Sequence, residues 1–252
     1  MRVTIAIPTY NERANIGPLV SSVQSVLKGC GMDHSTTILI VDDNSPDGTG
    51  KLAEDMSKIH ENLRVLHRPG KLGLGSAYKE GFSYAIQQLD SDVIFEMDAD
   101  FSHHPRYIPD FLEGVRQGYD VVVGSRKMKG GGVIGWSPYR RIVSWVGNKM
   151  AEWLCGIKVP DSTSGYRAFT RHALQRIDYL NVKSEGYAFQ VEMLFRCQKK
   201  GMKIGEKPIV FVDRGTGRSK LSVEEWIRFT GTCLRLFVRR LREREPFKGE
   251  KS

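Results

Sequence analysis

The sequence of 252 residues is poor in cysteine and has no long apolar run. Its four cysteines are far apart and form no CxxC pair, which gives no sign of a zinc site or of a disulfide framework. No stretch approaches the roughly 20 apolar residues that cross a bilayer, and the N-terminus lacks the apolar centre of a secretory signal. These absences predict a protein of a reducing cytosol that meets any membrane from outside.

Two common nucleotide-binding motifs are also missing. A dinucleotide-binding fold carries GxGxxG directly after its first strand, where this chain has PTYNE, and no P-loop pattern GxxxxGK[ST] occurs. Glycines do cluster in GKLGLGS, residues 70–76, after the third predicted strand. The cluster is explained equally well by a close approach of the backbone to a ligand and by a tight turn between a strand and a helix.

What the chain does have is positive charge. Lys and Arg number 38 against 29 Asp and Glu, which gives a formal net charge of +9. Such a balance indicates a nucleic acid, a phosphorylated ligand or an acidic membrane surface as partner, unless the cations only solvate the surface. A nucleic acid is disfavoured because acidic residues occupy the predicted loops at the ligand-binding edge of the sheet, where they would repel a phosphate backbone.

Short β-rich apolar runs alternate with longer amphipathic segments in the first half of the chain. The predicted strands are residues 3–7, 37–41, 63–67, 93–97 and 120–124, with helices near 15–28, 48–59, 74–89 and 106–117 between them. This alternation predicts an α/β fold with a mostly parallel central sheet flanked by helices, in one large domain. Ligands of such sheets bind beyond the carboxyl ends of the strands.

Acidic residues follow three of the predicted strands. PTYNE follows the first, DDNSPDGT the second and the DAD of residues 98–100 the fourth. Asn and Asp are common as helix N-caps and in Asx turns, and for Asn11 and Asp47 that structural role explains the residue as well as a ligand does. Asp98 and Asp100 differ, because alternate residues of an extended chain point the same way and can converge on one cation.

The DAD segment therefore predicts a site for Mg²⁺ or Mn²⁺. A hard cation with few protein carboxylates keeps positions open for water and for the phosphate oxygens of a substrate. His103 and His104 follow directly. We interpret them as loop and helix-start residues before Pro105, since adjacent side chains rarely converge on one ion.

Eight segments, in order, resemble one known family. They are PTYNE, VDDNSPDGT, GKLGLGSAY, MDADFSHHP, GSR, DSTSGYR, GYAFQVEM and VDRGTGRSKLS. The set is similar to the inverting family-2 glycosyltransferases of the GT-A fold, and most of all to the dolichyl-phosphate mannose synthases. The resemblance implies a GT-A, Rossmann-like catalytic domain over residues 1–221, followed by a basic amphipathic helix and a polar tail over residues 222–252.

The resemblance also implies a site for a nucleotide sugar. The positions that match the family's donor-binding residues are Pro8, Tyr10, Glu12, Ile40, Val41, Asp42, Asp43, Asp98, Ala99, Asp100, Arg126, Arg214 and Lys220. Within this set Asp98 and Asp100 match the DxD pair that holds Mg²⁺ or Mn²⁺. Ser102 stands where some relatives have Gln, and because serine is shorter, a direct metal contact and a bridging water both stay open.

Four cations are implied to contact phosphate groups of the donor or of the acceptor. They are Arg126, Arg140, Arg214 and Lys220. Guanidinium groups bind phosphate oxygens in a bidentate manner, and lysine supplies a mobile point charge. The implied catalytic residues are Asp100, Arg126 and Asp161, with orienting roles for Asp161 and Arg167.

The implied reaction transfers mannose from GDP-mannose to dolichyl (polyprenyl) phosphate with inversion, which gives dolichyl β-D-mannosyl phosphate for protein or lipid glycosylation. A UDP-glucose-dependent glucosyltransferase acting on the same class of acceptor is the alternative, because no residue by itself identifies the base or the sugar. The acceptor oxygen is already anionic near neutral pH, so the reaction needs no strong general base.

The segment after residue 222 bears on how the enzyme meets a lipid. Apolar residues recur at helical spacing from Trp226 to Leu241, and arginines line another face. The pattern predicts a basic amphipathic helix in a membrane interface or a terminal helix packed on the domain. The expected partners are GDP-mannose, the lipid phosphate, a membrane surface and, as an open alternative, a small membrane-anchoring subunit. We expect peripheral association on the cytoplasmic side of the endoplasmic reticulum in a eukaryote or of the plasma membrane in a prokaryote.

Overall fold

The computed structural model describes residues 1–213 and 223–242. The strands are β1 (Val3–Thr9), β2 (Thr36–Asp42), β3 (Leu63–His67), β4 (Val93–Glu96), β5 (Val121–Ser125), β6 (Gly132–Ile134), β7 (Arg167–Thr170), β8 (Ile204–Pro208) and β9 (Val210–Val212). The helices are α1 (Arg13–Gly29), α2 (Thr49–Ser57), α3 (Leu74–Gln87), α4 (Ile108–Arg116), α5 (Pro138–Met150), α6 (Arg171–Ile177), α7 (Gly186–Lys199) and α8 (Val223–Arg242). A π-helical turn, Ala151–Cys155, continues α5.

Within the described residues seven strands form the central sheet in the order β3-β2-β1-β4-β7-β5-β8. Neighbours are parallel except at β7, which runs antiparallel to β4 and β5, so the predicted mostly parallel sheet is confirmed. The chain moves outward from β1 to β3 and returns to the other side of β1 at β4. A crevice therefore opens at the carboxyl ends of β1 and β4, where the loops carrying PTYNE and DAD become neighbours.

Helices cover both faces of this sheet. On β1, Ile5 and Ile7 belong to the core formed with α1 and α4, whereas Ala6 between them packs with α3 on the opposite face. Successive side chains of a strand point to opposite faces, so a strand buried on both sides is a continuous apolar run. Burial of each large side chain in this way contributes roughly 1.5–3 kcal/mol to the free energy of unfolding. The strand ends therefore form a rigid support for the loops that follow them.

Four strands of the described residues were not predicted, namely β7 and β8 of the central sheet and the shorter β6 and β9 outside it. β6 and β9 pair in parallel as a separate two-stranded sheet. Trp136 follows β6 and Phe211 lies in β9, and their ring centroids are 5.5 Å apart. Strands of three residues are too short to be recognised from alternation of apolar and polar residues.

The predicted C-terminal helix is present as α8 and is packed on the domain. Phe229, Cys233 and Leu236 are buried against the π-helical turn and α7. Leu234 and Leu241, on another side of the helix, are about half exposed, at 51% and 46%. None of the helices within the described residues is long and apolar enough to cross a membrane.

Candidate active site

A cavity of about 430 Å³ lies at the carboxyl ends of β1 and β4. The predicted site residues that line it are Pro8, Tyr10, Glu12, Asp43, Asp98, Ala99, Asp100, Ser102, Arg126 and Arg140. We call the part formed by Glu12, Asp43, Asp98 and Asp100 the acidic end. The part formed by Arg126 and Arg140 is the cationic end. Groups far apart in sequence thus meet where the sheet topology indicates a ligand site.

The loop after β1 presents an aromatic ring to the cavity. Asn11 has a φ of 60°, a left-handed conformation that asparagine tolerates, and its N–H donates to Ser45 Oγ at 3.1 Å. Tyr10 precedes this bend and is 36% exposed, with Lys71 Nζ lying 4.2 Å from its ring centre. An accessible ring with a cation on its face is suited to hold the base or ribose of a nucleotide.

The segment after β2 contributes one side chain to the cavity. Ile40 and Val41 are fully buried in the core, and Asp42 accepts hydrogen bonds within its own loop and from the β1 end. Asp43 lines the cavity and is paired with the buried guanidinium of Arg68. Burial raises the pKa of Asp43, while the charge of Arg68 opposes the rise. A role for the other three residues in nucleotide binding stays a prediction.

The two acids of the DAD segment lie in a turn. β4 ends at Glu96, and the turn is closed by the Ser102 N–H, which donates to Asp100 Oδ1 at 3.0 Å. Phe101 has a φ of 62°, a conformation that is unfavourable for a bulky residue and is found where the surrounding structure enforces it. The acids reach the same cavity through this turn, although the prediction had placed them on an extended chain.

His103 supports the turn by a hydrogen bond and by the packing of its ring. Its Nδ1 accepts the Asp98 N–H at 2.9 Å, and its ring stacks on Tyr166 with centroids 4.9 Å apart. Burial lowers the pKa of His103, which keeps the ring neutral and able to accept. His104 accepts the Arg106 N–H at 3.2 Å and so caps the short helical turn that follows. The two histidines therefore take the loop and helix-start positions that we expected.

The acidic end fits a divalent cation. Asp98 and Asp100 supply the oxygen ligands that Mg²⁺ and Mn²⁺ prefer. Ser102 Oγ beside them is buried and makes no hydrogen bond with the part of the chain that the structure describes, which is unusual for a hydroxyl in a protein interior. Within residues 1–213 and 223–242 no three His, Cys, Asp or Glu side chains are grouped as a metal site. A cation held by Asp98 and Asp100 would keep positions open for substrate oxygens and water.

At the cationic end Arg126 is held by a buried acid. Its Nε and Nη2 donate to Asp161 Oδ2 and Oδ1 at 2.8 and 2.5 Å, and its backbone N–H donates to Oδ2 at 2.8 Å. Burial alone would raise the pKa of Asp161, but the guanidinium lowers it below the usual value. Both oxygens of Asp161 are engaged in orienting Arg126, so its geometry is that of a positioning residue and not of a general base.

Arg140 is oriented in the same manner from α5. Its Nη1 lies 2.6 Å from Asp213 Oδ1. The guanidinium carbons of Arg126 and Arg140 lie 5.1 and 4.5 Å from the ring centre of Trp136, so the two cations share one indole. Aromatic and acidic partners fix both groups while they still line the cavity, an arrangement suited to phosphate oxygens.

Arg167, expected to orient the site, does so without lining the cavity. It is fully buried and donates to the carbonyl oxygens of Ser162, Ser164 and Gln190 at 2.8, 2.9 and 2.7 Å. These bonds tie the DSTSGYR loop, which contains Asp161, to α7. Arg167 therefore supports the position of the cationic end.

The glycine-rich loop forms the turn into α3 and also lines the cavity. Gly73 lines the cavity and immediately precedes α3. Its φ is 103°, and a Cβ at this position would lie 2.6 Å from Glu185 Oε2. The same oxygen accepts the Gly75 N–H at 2.7 Å, so Glu185 satisfies the start of α3 as a capping acid would.

An apolar cavity of about 50 Å³ adjoins the cationic end between α5 and α8. Its lining includes Val143, Gly147, Trp226 and Phe229. The residues that line both this cavity and the large one are Arg126, Arg140, Thr163, Tyr187 and Glu225. The large polar cavity thus continues directly into this apolar cavity, which we call the apolar groove. Together they would match a ligand with a charged head group and an apolar chain.

Large apolar side chains are also exposed on the outer sides of α5 and α8. They are Tyr139, Ile142 and Trp145 on α5 and Ile227, Leu234, Val238 and Leu241 on α8. We call these seven residues the outer apolar face. Exposed apolar residues on two elements beside one groove indicate a surface that meets something other than water.

Some predicted residues lie elsewhere, and some lining residues were missed. Arg214 and Lys220, predicted for both substrates, lie outside the described residues. The lining residues that were not predicted include Thr9, Lys71, Thr163, Gly165, Tyr187, Gln190, Phe211, Asp213 and Glu225. Several of these residues belong to the segments that carry the family resemblance. Membership of those segments is the feature of the sequence that could have identified them. Phe211 and Glu225 lie outside those segments.

The sheet topology and the acidic turn at its crevice define a glycosyltransferase of the GT-A fold. The model of Glycosyl transferase family 2 matches residues 4–178, and the chain belongs to that family. The predicted enzyme class and fold are therefore confirmed.

Two relatives align over most of the chain. Polyprenol monophosphomannose synthase of Mycolicibacterium smegmatis is 43% identical over 223 residues, which cover 88% of this chain and 81% of the relative. Undecaprenyl-phosphate mannosyltransferase of Micrococcus luteus is 40% identical over 222 residues, which cover 88% of each chain.

Solved structures with the same fold are more distant. Glucosyl-3-phosphoglycerate synthase from Mycobacterium tuberculosis, solved with Mn²⁺, UDP-glucose and glycerol 3-phosphate, has a TM-score of 0.65 at 17% identity and covers 95% of this chain and 79% of that one. A mannosyltransferase from Pyrobaculum calidifontis, solved with GDP-Man and Mn²⁺, has a TM-score of 0.56 at 17% identity, with coverage of 96% and 64%. These two similarities bear on the fold alone.

Proposed function

We propose that the protein transfers mannose from GDP-mannose to a polyprenyl phosphate such as dolichyl phosphate, with inversion at the anomeric carbon. The observation that carries the proposal is one cavity with carboxylates at one end, guanidiniums at the other and an apolar groove beyond the guanidiniums. The two mannosyltransferases at 40% and 43% identity support mannose as the sugar and a polyprenyl phosphate as the acceptor.

The donor would lie along the acidic end. Tyr10 and Asp43 line this end and would contact the nucleoside, and Asp98 and Asp100 would hold Mg²⁺ or Mn²⁺. When bound, the cation supplies positive charge that stabilises the diphosphate as a leaving group. Arg214 and Lys220 remain predicted contacts of the same phosphates.

The acceptor phosphate would lie at the cationic end, with its isoprenoid chain leaving between α5 and α8. Arg126 and Arg140 offset the repulsion between the acceptor phosphate and the donor diphosphate and hold the attacking oxygen in line. That oxygen forms the new bond to C1, the bond from C1 to the diphosphate breaks, and its electron pair leaves with GDP. No proton has to be removed, since the attacking oxygen is already anionic near neutral pH.

Peripheral contact with a membrane would bring this groove to its acceptor. The outer apolar face carries Trp145 and Tyr139, residue types that favour the boundary between lipid and water. Exposed Arg228, Arg239 and Arg242 lie on α8 as well and would meet anionic head groups. Binding of this face to a small membrane-anchoring subunit is the alternative, and the cytoplasmic side of the membrane stays a prediction.

The test is a transfer assay with purified protein and vesicles that contain undecaprenyl phosphate. GDP-mannose and UDP-glucose are supplied separately, each with Mn²⁺, Mg²⁺ or a chelator. We expect lipid-linked mannose in the β configuration and release of GDP, with no transfer in the chelator. Preferential use of UDP-glucose would replace mannose by the alternative sugar, and failure to glycosylate the lipid phosphate with either donor would overturn the proposal.

A further inference from the structure

One buried side chain in the wall of the large cavity has no part in the binding of the donor, the metal ion or the acceptor as proposed above. Gln190, on α7, lines the cavity and is only 3% exposed. Within the described residues neither its Oε1 nor its Nε2 makes a hydrogen bond of ordinary geometry, although the buried carboxyl of Glu96 is close enough to interact with the amide. Buried amides in proteins are nearly always paired, because an unpaired one loses its bonds to water and gains none in return. An unpaired amide in the wall of a site therefore points to a ligand.

Gln190 lies between the two ends of the cavity. A Cβ added at Gly165 would be 3.7 Å from Gln190 Nε2 and 3.4 Å from Cε1 of His103, the residue that holds Asp98. Tyr187, about one turn earlier on α7, lines the cavity next to the guanidiniums as well as the apolar groove. The amide is thus close to the residue that holds the acidic turn, and it follows Tyr187 on a helix that reaches the cationic end.

The charges around the amide favour a neutral ligand. The buried carboxyl of Glu96 lies near it. The guanidinium of Arg167 donates to the main-chain carbonyl of Gln190 at 2.7 Å. A nearby acid disfavours a phosphate, and a nearby guanidinium disfavours a metal ion. An amide offers one acceptor and one donor group, and a hydroxyl can satisfy either of them.

We propose that the Gln190 amide hydrogen-bonds a hydroxyl of the transferred sugar and so helps to select the donor. The inference rests on the proposed function, in which the sugar lies between the diphosphate at the acidic end and the acceptor phosphate at the cationic end. Its reacting carbon must come within about 3.5 Å of the attacking oxygen, which places the hydroxyls midway along the cavity. Gly165 has no side chain and leaves the amide uncovered there.

Two variants test this contact in different ways. Gln190→Met removes the amide but keeps the length of the side chain, and Gly165→Ala covers the amide with a methyl group at an ordinary contact distance. We expect each to lower kcat/KM for GDP-mannose by about 100-fold, because a site built to bond a hydroxyl depends strongly on it. The affinity for GDP with Mn²⁺, measured by calorimetry, should change by less than about 3-fold, since GDP lacks the sugar.

Deoxy analogues of GDP-mannose identify the partner hydroxyl. For the analogue that lacks the contacted hydroxyl, kcat/KM of the wild type and of the two variants should agree within about 3-fold, because the interaction is absent in all three. The other analogues should keep the full difference between wild type and variants.

Gln198, on the same helix, is the matched control. Both of its amide atoms are bonded within the protein, since Oε1 accepts the Lys158 N–H at 2.9 Å and Nε2 donates to the Gly156 carbonyl at 2.6 Å. Gln198→Met should lower the melting temperature and leave discrimination among the donors unchanged. Gln190→Met should change the discrimination.

Three results would overturn the proposal: parallel losses of GDP affinity and kcat/KM, unchanged kcat/KM in both variants, or equal discrimination against every deoxy analogue in wild type and variants. Failure of the proposed function is distinguishable from failure of the inference about Gln190. If the wild type uses UDP-glucose, the same comparison is made with deoxyglucose donors, and the contact made by Gln190 is judged from that series.

Discussion

The DAD turn of the acidic end and the cationic end differ in how their charges are partnered, although Asp43 at the acidic end is paired with Arg68. At the cationic end each guanidinium is held by an acid of the protein, Arg126 by Asp161 and Arg140 by Asp213. At the acidic end, within the described residues, the Asp98 side chain receives a long hydrogen bond from Tyr78, at 3.3 Å, lies 3.7 Å from the ring nitrogen of His103, and is 37% exposed. The protein thus neutralises and orients its cations itself but leaves Asp98 accessible, which is the arrangement expected if an external cation completes the acidic end.

The acidic end should depend on metal more than on protein contacts. Asp100→Asn removes a charged oxygen ligand with little change in shape, and we expect turnover to fall by about 1,000-fold or more because the diphosphate loses its bound cation. The melting temperature should change by no more than about 2 °C, since the acid lies at the edge of a cavity. Transfer assays over a Mn²⁺ titration, together with thermal melts, measure both.

Asp55 provides a matched control, because it is an acid that lies outside the cavity. It is an exposed acid that pairs with Lys51 and Lys58 on the surface. Asp55→Asn should leave turnover and its Mn²⁺ dependence unchanged. Wild-type turnover in Asp100→Asn would refute the metal assignment of the acidic end.

The cationic end should depend on the acids behind it. Asp161→Asn leaves Arg126 buried without its counter-charge, and we expect a loss of about 3 kcal/mol in the free energy of unfolding. Turnover should fall by about 100-fold as the guanidinium loses its orientation. Denaturant unfolding and steady-state kinetics with a soluble short-chain acceptor measure the two effects.

Asp213→Asn is the milder counterpart. Asp213 and Arg140 are more exposed, at 25% and 17%, than the buried pair of Asp161 and Arg126. Solvent screens such a pair, so we expect a loss of less than about 1 kcal/mol and about a 10-fold drop in turnover. Equal effects of the two substitutions would contradict the view that burial of Asp161 is what fixes Arg126.

The acidic end was easier to predict than the cationic end, for a physical reason. Asp98 and Asp100 are two residues apart after an apolar strand, and the rule that ligands bind at the carboxyl ends of parallel strands suffices to place them. Arg126 and Asp161 are 35 residues apart, and the bond between them depends on long-range packing that no local pattern encodes. Arg126 and Arg140 were identified through the family resemblance.

The C-terminal helix shows the same limit. Periodicity predicted α8, but the sequence did not say which apolar residues face the domain and which face outward. In the structure Phe229 and Leu236 are buried, whereas Leu234 and Val238 lie on the outer apolar face. The partner of a helix face depends on which neighbours the chain brings to it.

Substitution on the outer apolar face should separate lipid contact from chemistry at the cationic end. Leu234→Glu places a charge on the exposed side of α8, and we expect vesicle binding and transfer to undecaprenyl phosphate in vesicles to fall by about 10-fold. Transfer to a short-chain soluble acceptor should be unchanged. Flotation with vesicles containing anionic lipid and parallel assays with both acceptors provide the measurement.

A polar substitution on the same helix controls for loss of apolar area alone. Thr230, which is half-buried on α8 and lies outside the outer apolar face, can be changed to serine with little effect on either acceptor. If Leu234→Glu reduced transfer to both acceptors equally, α8 would act through packing on the domain and the outer apolar face would have no lipid role.

The smallest effect on turnover is expected where α8 is anchored behind the cationic end. Glu192 on α7 is 3% exposed, receives the Ser184 hydroxyl at 2.5 Å, and pairs with Arg235 of α8 at 2.7 Å and with Arg196. Burial opposes ionisation, but these donors lower the pKa of Glu192 below 4.5. A lowered pKa adds stability above the unfolded value that is lost as the pH falls through the folded value.

Glu192→Gln should therefore reduce the free energy of unfolding by about 2 kcal/mol at pH 7 and weaken the loss of stability as the pH falls below the ordinary pKa of a glutamate. Turnover should fall by less than about 3-fold, because the substitution loosens a wall of the apolar groove and touches no phosphate contact. Glu224→Gln breaks the exposed pair with Arg228 on α8 and should cost less than about 0.5 kcal/mol. If the two variants were equally stable at pH 7, the anchor of α8 would lie in its apolar contacts and not in Glu192.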